Sequence, residues 1–125
     1  MAEDEISEII VNTAFHIHVN PAPGLFESVY EEILSCELRG LNLIVSRQQA
    51  IPVFYKDIRM ERGFKADLII NNKVLIEIKS VKALSDIHKK QTLTYLRLTG
   101  LKLGILINFN EVLIKNGIKR IVNDL

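Results

Sequence analysis

The stretch Phe64-Lys65-Ala66-Asp67-Leu68-Ile69-Ile70-Asn71-Asn72-Lys73-Val74-Leu75-Ile76-Glu77-Ile78-Lys79-Ser80 decides how this chain folds. Two β-rich runs flank a polar break, so the segment reads as a hairpin. Residues directly opposite in an antiparallel pair point to the same face. A two-residue loop would set Ala66 against Glu77 and Asp67 against Ile76, mixing carboxylates into an apolar face, where an unpaired charge is costly. A three-residue loop, Asn71 to Lys73, instead pairs Ala66 with Ile78, Leu68 with Ile76 and Ile70 with Val74 on a wholly apolar face. Lys65–Lys79, Asp67–Glu77 and Ile69–Leu75 then share the other face. Asn tolerates the left-handed backbone that three-residue loops commonly need, so the sequence predicts an odd-length loop.

The chemical consequence is two carboxylates and a lysine on one face of adjacent strands. Neighbouring carboxylates repel, which raises one pKa unless a cation intervenes. Oxygen ligands of this kind suit Mg²⁺ or Mn²⁺. Glu77 and Lys79 could instead form a solvated salt-bridge stripe. The apolar character of the surrounding strands argues against that, because it predicts cover on both faces of the sheet.

Outward from the hairpin, Ile6, Ile9, Ile10, Ala14 and Ile17 recur at helical spacing behind an acidic first turn. Asn20-Pro21-Ala22-Pro23-Gly24 should break that helix. A second helix is expected from Leu25 to Arg39, with Leu25, Val29, Ile33 and Cys36 as its apolar stripe and Gly40 in the left-handed position after it. Strand texture begins at Leu43, and Pro52 predicts an edge strand or a bulge. Lys56-Asp57 reads as a turn. Ser85 or Asp86 should cap a third helix that ends at Gly100. Leu103 to Phe109 reads as a buried strand, and a closing hairpin should pivot on Asn116-Gly117. The order α-α-β-β-β-β-α-β-β predicts an α/β or α+β domain with a mixed sheet, spanning residues 1–125 as one unit.

Composition bounds the function. With 48% hydrophobic and 25% charged residues, the 125-residue chain is neither disordered nor membrane-spanning. The lone Cys36 excludes an internal disulfide and a cysteine zinc cluster. The acidic start, Met1 to Glu5, is unlike a secretory leader and sets the expectation of a cytoplasmic protein. The net charge of +1 is unevenly spread. Residues 1–38 hold eight acids and no Lys or Arg, whereas residues 39–125 hold all 16 basic residues and seven acids. Lys56, Arg59, Arg62, Lys65, Lys82, Lys89 and Lys90 surround the hairpin carboxylates in sequence. Such a segment can draw in a polyanion.

These residues resemble a known family. Asp67, nine intervening residues, then Glu77-Ile78-Lys79 is similar to the acidic and lysine motif of the PD-(D/E)XK nuclease superfamily. Gly24-Leu25-Phe26-Glu27-Ser28-Val29-Tyr30 resembles the signature of its small GxxExxY family. So do His88, Gln91 and Tyr95-Leu96, followed by Thr99 to Gly104 and Ile107 to Asn110. The resemblance implies a restriction-endonuclease-like core, a mixed sheet with a central antiparallel hairpin flanked by helices. It implies a divalent metal, Mg²⁺ or Mn²⁺, held by Asp67, Glu77, the Ile78 carbonyl and Glu27. Lys79 would orient the attacking water and Gln91 would reach in from the third helix. Ala66 stands where the superfamily has Pro, and Ala22 replaces the first Gly of a Gly-Pro-Gly.

Single residues divide between site and scaffold. His16 and His18, two apart, cannot converge from a helix. His88 and Gln91 share a helical face. Tyr95 reads as packing with a tethered hydroxyl, and Cys36 as core. The leading expectation is phosphodiester hydrolysis of nucleic acid, with DNA as the expected partner, no membrane association and a homodimer as a reasonable assembly. The rival is a non-catalytic nucleic-acid- or partner-binding module that keeps the nuclease fold.

Overall fold

A computed structural model describes residues 1–19 and 24–125. The Asn20–Pro23 break and the Ala22 departure lie outside the described residues. The elements are α1 (Glu3–Val19), α2 (Glu27–Gly40), β1 (Val45–Ile51), β2 (Phe54–Tyr55), β3 (Ile58–Arg59), β4 (Phe64–Ile70), β5 (Val74–Lys79), α3 (Asp86–Thr99), β6 (Leu103–Asn108) and β7 (Ile118–Val122), with a 3-10 turn at Ile114–Gly117 before β7. One strand more than expected arises because Pro52 ends β1 and Phe54 begins a separate ribbon. No helix among the described residues is long and apolar enough to cross a membrane.

Five strands form a mixed sheet in the order β1-β4-β5-β6-β7, and β2 and β3 pair as a separate two-stranded ribbon. β1 is an edge strand, as Pro52 predicts. The β4–β5 register sets Leu68 against Ile76, Ile69 against Leu75 and Ile70 against Val74, which is the odd-loop register. Asn71 and Asn72 both take left-handed backbone, at φ 51° and 54°, and the Lys73 N–H donates to the Ile70 carbonyl. β5 and β6 run parallel, joined by α3, which gives the sheet its mixed character.

Helices cover both faces. Ile6, Ile10, Ala14 and Ile17 of α1 and Tyr30, Leu34 and Leu38 of α2 pack on Leu68, Ile70, Ile76, Ile78, Ile105 and Ile107. Leu96 and Tyr95 of α3 pack with Ile51, Ile69, Leu75 and Ile121 in a smaller cluster. α3 starts at the predicted Ser85 cap and ends with Gly100 left-handed at φ 74°.

Three expectations are corrected. The buried face of α2 is Tyr30, Glu31, Leu34, Ser35 and Leu38, so Val29 and Cys36 are exposed. The helix carries two apolar rows, and the row with Tyr30 wins because its ring stacks on Phe109 at 4.5 Å. Gly40 is the last helical residue, and the left-handed position falls at Asn42. Asn116-Gly117 is no hairpin turn but part of the 3-10 turn. A Cβ at Gly117 would collide with the Asn108 carbonyl, so glycine is needed there for close approach.

Asn108, fully buried at the end of β6, secures the chain that leaves β5. Its side chain accepts from the Val81 N–H at 3.0 Å and donates to the Val81 carbonyl at 2.9 Å. Asn108→Ala strips the Val81 and Asn110 N–H groups of their side-chain acceptor, leaves the Val81 carbonyl to Asn110 Nδ2 alone, and is expected to cost about 2–3 kcal/mol. A thermal melt should show a Tm about 6–12 °C lower.

Candidate active site

The site lies where the sheet's ladder gives way. β1 and β4 pair on either side of Gln48 and Asp67, at Arg47–Leu68 and Gln49–Ala66, but not at these two residues. Gln48 takes left-handed backbone, φ 49°, which is unusual for a non-glycine residue in a strand. The β4–β5 ladder likewise stops at Leu68–Ile76. Side chains complete the pairing that the backbone leaves open. The Asp67 N–H donates to Glu77 Oε2 at 3.2 Å, and the Ile78 N–H donates to Asp67 Oδ2 at 2.9 Å. The two carboxylates are thereby locked side by side.

A polar chain continues from Asp67 to α2. Gln48 Nε2 donates to both Asp67 Oδ1, at 3.1 Å, and Glu31 Oε1, at 2.5 Å. Arg47 donates from Nε and Nη2 to Glu31 Oε2, at 3.3 and 3.1 Å. Glu31 is buried, and this ion pair is what permits it. Glu27 lies one helical turn earlier and is exposed. Its Oε1 accepts the Ser80 N–H at 3.0 Å, just beyond Lys79. Tyr30 fixes the approach to α2, its hydroxyl accepting the Leu25 N–H at 3.3 Å. Glu27, Ser28, Glu31, Gln48 and Asp67 line a cleft of about 320 Å³.

Glu77 sits behind this cleft, with 5% of its surface exposed. Burial pushes its pKa from 4.5 up to about 9, the charge of Asp67 adds to the rise, and Lys79 only partly opposes it. Lys79 is half-buried, and among the described residues its ammonium has no ion-pair partner. Tyr95 stacks on Phe64 at 3.7 Å. Burial raises its pKa, as do the charges of Glu77 and Asp67, so this face of α3 looks toward the carboxylates. Gln91, four residues before Tyr95, shares that face and is exposed.

Among the described residues, no three His, Cys, Asp or Glu side chains are grouped to hold a metal ion. Asp67 and Glu77 touch, while Glu27 is engaged by Ser80. The pair, with Glu77 buried and Asp67 half-buried at the cleft, is nonetheless chemically suited to a cation. Without one, Glu77 holds its proton at neutral pH, and Mg²⁺ is commonly bound through one or two carboxylates while keeping several waters.

The model of the PD-(D/E)XK nuclease superfamily matches residues 4–121. The chain belongs to this superfamily. PD-(D/E)XK nucleases generally use divalent metal ions, and the mixed five-stranded sheet with three helices is their restriction-endonuclease-like fold. A comparison with curated proteins finds no match. The crystal structure of SSO0001 is similar at 21% identity and a TM-score of 0.48, over 96% of this chain and 79% of that one.

Two histidines of this PD-(D/E)XK domain, His18 and His88, make scaffold contacts. His88 Nδ1 accepts the Ser85 N–H at 3.1 Å and caps α3. His18 Nε2 lies 2.7 Å from the Glu111 carbonyl and ties α1 to the loop before the 3-10 turn. Glu31 and Gln48 escaped the sequence reading. The four-residue spacing of Glu27 and Glu31 signals a shared helical face. Nothing in the sequence marks the backbone of Gln48.

Proposed function

We propose that residues 1–125 form a single metal-dependent nuclease domain of the GxxExxY type that hydrolyses phosphodiester bonds in DNA. The observation that carries this reading is the pair of half-buried Asp67 and buried Glu77, whose Glu77 is raised to about 9 by burial and by the Asp67 charge, on the strand that also bears Lys79. Asp67, Glu77 and the Ile78 carbonyl would hold Mg²⁺ or Mn²⁺, with Glu27 as the further acid from α2. The bound ion would neutralise phosphate charge and make water nucleophilic near neutral pH.

The chain's own groups do the rest. Lys79 Nζ donates a hydrogen bond to the attacking water and steadies the charge that develops on the phosphate. Gln91 orients the water or the phosphate from α3. Gln48 sets the Asp67 carboxylate. Gln48→Ala is expected to lower kcat about 10- to 100-fold with nucleic-acid affinity unchanged, because small misplacements of a reacting group have effects of that size. Cleavage rates measured at saturating substrate, beside binding in EDTA, check this.

The test of the whole reading uses supercoiled, linear and branched DNA and RNA, with Mg²⁺ or Mn²⁺ and with EDTA. Wild type is compared with Asp67→Ala, Glu77→Ala and Lys79→Ala. Metal-dependent cleavage lost in all three supports the reading, whereas no cleavage by wild type, or undiminished cleavage by the variants, defeats it. The second reading, a binding module that keeps the nuclease fold, draws on the lack of a ready three-acid group among the described residues. It predicts salt-sensitive binding that survives all three substitutions.

A further inference from the structure

The β2–β3 ribbon is hard to explain as scaffold. It has two residues per strand, Phe54 facing Arg59 and Tyr55 facing Ile58, extended by a bond from the Met60 N–H to the Val53 carbonyl. Lys56 and Asp57, left-handed at φ 49° and 64°, make its tight turn. Paired residues share a face, so the two pairs point to opposite sides. Both sides are open: Phe54 is 57% exposed, Tyr55 63% and Ile58 63%. A two-stranded ribbon gains little stability alone, and this one leaves its apolar residues in water.

Its chemistry selects a partner. Lys56 Nζ stands 5.5 Å from the centre of the Tyr55 ring. Lys56, Arg59, Arg62 and Lys65 outnumber Asp57 and Glu61 in this stretch. A second copy of the same ribbon would bring these cations together, whereas a polyanion with flat apolar faces would satisfy both the rings and the charges. The ribbon also leads to the carboxylates. β4 begins at Phe64, which stacks on Tyr95, and Asp67 follows three residues on, about 10 Å along the strand.

We propose that the ribbon is a nucleic-acid contact at which Phe54 on one side and Tyr55 on the other each stack on an unpaired base while Lys56 and Arg59 hold the flanking phosphates. The domain therefore prefers nucleic acid with single-stranded segments to continuous duplex. This rests on the nuclease reading for its substrate class. Base–aromatic stacking tolerates any sequence, and phosphate contacts make the binding salt-dependent.

Fluorescence anisotropy in EDTA, with a labelled single-stranded 20-mer and the blunt duplex of the same sequence, tests the contact apart from cleavage. F54L/Y55L keeps the ribbon apolar and removes its π faces, and a thermal melt verifies its fold. Wild type should bind the single strand more tightly. F54L/Y55L should lose about tenfold or more on the single strand, change less than twofold on the duplex and keep the salt slope. K56A/R59A should weaken both and lower the slope by about two. Wild-type binding that F54L/Y55L leaves intact, or weakens equally on both ligands, overturns the ribbon's role and spares the nuclease reading. Wild type that neither binds nor cleaves overturns both. Sedimentation in which F54L/Y55L converts a dimer to monomer, with nucleic-acid affinity unchanged, would assign the ribbon to self-association and also overturn the proposal.

Discussion

Asp67→Asn is expected to abolish metal-dependent cleavage, by about a thousandfold or more, while leaving the protein folded. The substitution keeps an oxygen for the Ile78 N–H, which now binds Asp67 Oδ2 at 2.9 Å. It removes the charge that faces Glu77. Glu77 is protonated without a metal, so there is no repulsion to relieve; the cost is the lost acceptor for the exposed Gln48 Nε2, offset by its remaining bond to Glu31 Oε1. Net stability should therefore stay within about 1 kcal/mol of wild type. Catalysis has no such offset, because an amide is a poor substitute for a carboxylate beside a divalent ion. Plasmid nicking assays and thermal melts, run on the same preparation, check both halves. Added Mn²⁺ should raise the Tm of wild type and not of the variant. Cleavage within tenfold of wild type would remove Asp67 from the site.

The second large effect is a dependence of metal-free stability on pH. Folded Glu77 keeps its proton up to about pH 9, whereas unfolded it titrates near 4.5. Between these values the folded state binds more protons, so stability falls as pH rises. The contribution is fully present below pH 4.5 and is gone above about pH 9. In EDTA, the Tm should drop by about 5–10 °C between pH 5 and 9. Glu77→Gln, which still offers an oxygen to the Asp67 N–H, should flatten this slope. A divalent ion favours the ionised pair, so the Tm gain on adding Mn²⁺ should be greater at pH 8.5 than at pH 6. A flat profile for metal-free wild type would mean that Glu77 is ionised without a cation.

The odd-length loop, the apolar face Leu68–Ile76 and Ile70–Val74, the α1 stripe and the Ser85-to-Gly100 bounds of α3 were legible in the sequence alone. They depend on short-range properties: parity across a hairpin, helical period and end chemistry. That Asp67 and Glu77 come together was legible for the same reason, since hairpin parity puts them on one face.

The rotation of α2 was decided only in the folded chain. Tyr30 turns inward because Phe109, far along the sequence, offers it a ring to stack on, and Cys36 is carried to the surface as a result. The Asn116-Gly117 signal yielded in the same way. β6 and β7 pair from Ile107–Ile118, with a longer loop tied down by His18 and Gly117 packed on Asn108. The polar chain Arg47–Glu31–Gln48–Asp67 joins a helix to two strands, so each member finds its partner only after the sheet and helix have docked. Local rules thus determined which residues share a face and where the elements end. Long-range packing determined which face of α2 is buried and how the Asp67 carboxylate is held, because those choices are set by contacts between residues that only the tertiary fold brings together.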